Sequence, residues 1–189
     1  NEAIDYAARS EKGLNFNDMR GKLERVYPFR EMREDALLMA RRLTAFGIKR
    51  EDRVALIAET GPDFAALFCA CVYVGAWPVP LPLPTTFGGK DNYIDQLAVQ
   101  LESSDPALLI YPEEIADMAD AAAERQKCHA ESWQSFATRE APEVDLPKAD
   151  PQDICYLQYS SGSTRFPQGV AVTHEALLHN LYGHSTSMN

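Results

Sequence analysis

The sequence predicts an α/β fold, a mostly parallel sheet flanked by helices. Three observations carry that expectation. The runs "DRVALIA" and "PALLIY" are short and apolar with too little polarity to alternate, as in parallel strands covered on both faces. Between them lie stretches whose apolar residues recur at spacings of three and four, and strand–helix alternation of this kind implies parallel neighbours. Near the end, "CYLQY" and "GVAVTH" both have strand character and enclose a loop rich in hydroxyls.

Taken in order, "YPFREMREDALLMARRLTAFGI" places Phe29, Met32, Ala36, Leu37, Ala40, Leu43 and Phe46 on one helical stripe, and Gly47 ends it. The strand "DRVALIA" follows. In "ETGPDFAALFCACVYVGA", Pro62 sits in the first turn of a second helix and Gly75 stops it. Four prolines in "WPVPLPLPTTFGG" restrict regular structure to a few residues around Val79, because proline removes ladder donors. Tyr93, Leu97 and Leu101 mark a further helix, residues 108–111 a buried strand, and the Ala-rich acidic stretch 113–126 a surface helix. Over residues 127–152 periodicity fades and prolines return, which reads as a crossover or linker. Strands 54–58, 108–111 and 154–159 are expected in one layered, doubly wound core, with the hydroxyl-rich loop at its carboxyl edge, where ligands gather in such folds. The last helix, "HEALLHNLYGHSTSMN", carries Leu177, Leu178 and Leu181 on its stripe. The expected organisation is an amino-terminal α/β subdomain over residues 1–150, then a strand, loop, strand and helix over 151–189 that begin the next part of a larger domain.

Composition narrows the partners. With 18 basic and 28 acidic residues the formal net charge is −10, which argues against a general nucleic-acid binder. A local anion site remains compatible with that balance. No segment has the length and apolarity of a membrane span, and "NEAIDYAARSEKG" lacks the basic-then-apolar order of a signal peptide, so a cytoplasmic location is expected. Cys69, Cys71, Cys128 and Cys155 form no metal-ligand pattern and read as small buried hydrophobes.

The loop "YSSGSTRFPQG" is the most informative stretch. Ser160, Ser161, Ser163 and Thr164 offer hydroxyls, while Gly162 and Gly169 let backbone N–H groups approach an anion. It is not the P-loop of kinases: six residues separate the two glycines, and a strand follows. A Ser/Gly-rich hairpin loop without a ligand is the plainer alternative. A loop able to surround the outer phosphates of a nucleotide is the sharper one.

Those residues, "YSSGSTRFPQGVAVTH", resemble the phosphate-binding motif of the adenylate-forming superfamily of acyl-CoA synthetases, luciferases and nonribosomal-peptide adenylation domains. The segments "VPLPLP" and "YLQYSSGST" resemble its fatty-acyl-AMP ligase branch, and the likeness runs from about Leu14 to the end. The resemblance implies the amino-terminal subdomain of that fold. It also implies activation of a fatty acid by ATP and Mg2+ to an acyl-adenylate and pyrophosphate. Transfer then goes to an acyl carrier protein or to the carrier domain of a polyketide or nonribosomal peptide synthase. Ser160, Ser161, Gly162, Ser163, Thr164, Arg165, Gln168 and Gly169 are the implied contacts to the ATP phosphates. Arg165 stands where the family has glycine and Gln168 where it has lysine; Arg165 either returns the missing charge or is a solvated loop residue. His174 matches the family's histidine after the motif, and a local hydrogen-bonding role is equally open. The family's adenine, ribose and magnesium contacts and its catalytic lysine lie beyond Asn189. No catalytic residue or metal ligand is therefore expected within these residues, and residues 1–189 alone are expected to be inactive. An acyl-CoA synthetase, an amino-acid adenylation domain and a non-catalytic scaffold remain the alternatives.

Overall fold

The computed structural model describes residues 1–85, 88–159 and 169–187, the last four of these by backbone alone. Its centre is a four-stranded parallel sheet in the order β4-β3-β5-β6, formed by β3 (Arg53–Ile57), β4 (Trp77–Leu81), β5 (Leu108–Tyr111) and β6 (Ala130–Ser132). The order explains the layering. From β3 the chain moves one way to β4 through α3 (Pro62–Val74), then back across β3 to β5 through α4 (Lys90–Ser104), and onward to β6 through α5 (Ala116–Gln126). Right-handed crossovers in opposite directions put α3 on one face and α4 and α5 on the other, which is the doubly wound arrangement.

Two apolar clusters correspond to the two faces. Val54, Leu56, Leu108 and Ile110 pack with α3 and with α2 (Phe29–Phe46). Ala55, Ile57, Leu109 and Tyr111 pack with α4 and α5. The alternation along one strand therefore serves both faces, and β3 and β5 contain no polar residue except Arg53 and Tyr111. Tyr111 resolves its polarity by donating its hydroxyl to Asp120 at 2.6 Å.

The helix ends follow from sequence. Pro62 opens α3 in its first turn, and Gly75 closes it at φ 76°, a left-handed conformation that glycine adopts without strain. β4 tolerates its prolines because it is an edge strand. Trp77 donates its N–H to Asp52 O at 2.7 Å, whereas Pro78 and Pro80 alternate with it and leave no donor unpaired.

Several elements depart from expectation. Residues 13–28 form an antiparallel hairpin of β1 (Gly13–Asn17) and β2 (Leu23–Pro28), preceded by α1 (Glu2–Ala7). Tyr27, wholly buried, anchors that hairpin by donating its hydroxyl to Asp35 of α2 at 2.7 Å. The stretch 127–152 is not only a linker: it supplies β6, which pairs with β5, and the short α6 (Trp133–Phe136), whose Trp133 and Phe136 are buried. Strand 154–159 does not join the parallel ladder. As β7 (Ile154–Tyr159) it pairs antiparallel with β8 (Gly169–Thr173) in a separate two-stranded sheet, and α7 (His174–Ser187) follows. The prolines of β4 give the physical reason, since they leave the open edge of that strand without the donors a fifth strand would need. All four cysteines are free, and burial pushes the thiols of Cys128 and Cys155 up to about 11, as fits unreactive core residues.

Candidate functional site

β7 passes beside the edge strand β4 and crosses from one face of the sheet to the other. Tyr156 lies against Phe68 of α3, with ring centroids 5.8 Å apart, while Leu157 and Tyr159 pack against the α4–α5 cluster. The pairing register shifts between Ile154 and Tyr156, which leaves Cys155 buried. Asp153 secures the start of the strand. Its carboxylate pairs with Arg50 and accepts the N–H of Asp150 at 2.7 Å, and its carbonyl accepts the N–H of His174 at 3.0 Å.

At the other end Tyr159 pairs with Gly169, so both stems of the hydroxyl-rich loop meet at this pair. Ser160, Ser161, Gly162, Ser163, Thr164, Arg165 and Gln168 lie outside the described residues. Gly169 is described, and it is not left-handed. A methyl there would meet the Tyr159 ring at 3.4 Å, an ordinary contact. Tyr159 itself thus leaves room for a side chain at this position.

Tyr159 is the last residue described before the loop. Tyr159 donates its hydroxyl to Ser103 at 2.9 Å. Ser103 precedes Ser104, whose carbonyl accepts from Arg53 at 3.0 Å, and Arg53 is the first residue of β3. The Tyr159–Ser103 contact ties the stem to the last turn of α4, and the expected placement of the loop itself lies outside the described residues. The carboxyl edge carries Glu59, Asp63 and Glu114; burial, then the charges of Glu114 and Asp63, hold Glu59 above the ordinary carboxylate range.

His174 opens α7 at the far end of β8, roughly 16 Å from Gly169 at about 3.3 Å per residue. Its N–H completes the turn onto Asp153, and its imidazole lines an apolar cavity of about 380 Å³ with Phe68, Cys155 and Leu177. Burial lowers its pKa. The hydrogen bond is made by the backbone, and the imidazole faces this cavity. Gly75 ends α3, while Pro78 and Pro80 stand within the edge strand β4. Among the described residues no group of three or more His, Cys, Asp or Glu is placed to hold a metal ion, and no helix is long and apolar enough to cross a membrane.

The missed feature is the Tyr159–Ser103 contact. Its partners lie 56 residues apart, and only the Ser103–Ser104 pair at the end of the Leu97–Leu101 stripe hinted at a polar helix terminus.

Comparison with known proteins places this arrangement. Residues 15–189 match the family described as AMP-binding enzymes. A Caulobacter vibrioides protein described as an acyl-CoA synthetase is 41% identical over 184 residues, covering 95% of this chain and 31% of that protein. A long-chain-fatty-acid–AMP ligase of Mycobacterium marinum is 32% identical over 79% of this chain and 26% of its own length. A solved structure from a study of fatty acyl-adenylate ligases of E. coli and L. pneumophila superposes with a TM-score of 0.90 at 40% identity, covering 95% of this chain and 33% of that one. The chain belongs to the AMP-binding enzyme family, and its α/β fold is that of the amino-terminal subdomain of adenylate-forming enzymes. It spans about a third of the length of the first of these relatives.

Proposed function

We propose that the chain is the amino-terminal part of a fatty-acyl-AMP ligase. A carboxylate oxygen of the fatty acid attacks the α-phosphorus of ATP, the bond to the β-phosphate oxygen breaks, and pyrophosphate leaves as the acyl-adenylate forms. The phosphopantetheine thiol of an acyl carrier protein or of a synthase carrier domain then attacks the acyl carbon, the bond to the phosphate oxygen breaks, and AMP leaves as the thioester forms. The observation that carries this reading is the close superposition, at 40% identity over 95% of the chain, on a structure from a study of fatty acyl-adenylate ligases.

In this reading Ser160, Ser161, Gly162, Ser163, Thr164, Arg165, Gln168 and Gly169 hold the outer phosphates. Several oriented hydroxyl and amide donors stabilise the charge that accumulates on departing pyrophosphate. Arg165 supplies the positive charge that Gln168 does not, through a planar fork suited to phosphate oxygens. These donor types fit a polyphosphate, and the Mg2+ that accompanies ATP supplies further charge neutralisation. Residues 151–189 form the start of the part that completes the site, and the cytoplasm is the proposed location.

A second reading, an acyl-CoA synthetase, is favoured by the 41% identical relative so described. One experiment separates them. The full-length protein is given Mg·ATP and fatty acids of several lengths, with CoA and a phosphopantetheinylated carrier protein side by side. Fatty-acid-dependent pyrophosphate release with acyl transfer to the carrier supports the first reading. Release with acyl-CoA formation supports the second, and no release with any fatty acid overturns both. The isolated residues 1–189 are expected to release none.

A further inference from the structure

We draw no further inference here: the strongest candidate, the apolar cavity of about 380 Å³ between α1, α3 and α7 that Cys155 and His174 line, carries nothing, because the chain spans about a third of the length of its relatives and nothing in the structure shows what covers or fills that cavity.

Discussion

The parallel strands and the loop-bearing hairpin are both rich in valine, isoleucine, leucine and aromatic residues, yet they fold by different means. β5 is buried at every position and β3 at all but its first. β8 is exposed over its first three residues, and β7 is fully buried only at Cys155. The sheet is held by apolar burial on two faces. The hairpin is held by its own ladder and by polar ties at its two ends, Asp153 to Arg50 and Tyr159 to Ser103.

The sharpest way to break the comparison is to truncate one apolar side chain in each region. Leu56 is fully buried in the middle of β3, so Leu56→Ala removes transfer energy and leaves a cavity. Its expected cost is about 2–5 kcal/mol. Val170→Thr in β8 keeps the branched shape on an exposed surface and is expected to stay within about 0.5 kcal/mol. Urea denaturation of the 189-residue chain checks both. A cost at Val170 approaching that at Leu56 would mean that the hairpin is part of the core after all.

A smaller effect tests the polar ties. Asp153→Ala removes the pair with Arg50 and the acceptor for Asp150 N–H at the base of β7. The expected local loss is about 1–2 kcal/mol. It should appear in hydrogen exchange as faster opening of the β7–β8 amides, with β3 and β5 amides protected as before. Equal acceleration in both regions would show that the two open as one unit.

The same contrast decided what could be read in the residues alone. β3, β5, α2 and α3 were legible because burial imposes its period directly on their side chains, and Pro62 and Gly75 mark the ends of α3. β6 escaped because three residues, Ala130 to Ser132, are too few to show a period. The hairpin at 13–28 was overlooked although "GLNFN" alternates; its outer face is exposed, so half of its pattern is polar and resembles a loop. For the candidate site, the hydroxyls and glycines announced their chemistry by type, independent of position. The contact of its stem with the last turn of α4 was not legible. That depends on β7 leaving the sheet at the proline-bearing β4 and on Tyr159 meeting a serine 56 residues earlier, and neither leaves a periodic trace.

The smallest expected effect concerns the carboxyl edge of the sheet. Glu59 is held above its ordinary 4.5 by partial burial and by the charges of Glu114 and Asp63. The folded chain therefore binds this proton more tightly than the unfolded one, and the ionised carboxylate costs stability. That cost is absent below the unfolded value, grows as pH rises through the raised folded value, and is constant above it. Glu59→Gln should leave stability unchanged in acid and increase it near neutrality by no more than about 0.5 kcal/mol, because the site is open to solvent. Thermal melts of both forms across that pH range check the sign. A variant that is less stable at neutral pH would mean that Glu59 is paired with a cation.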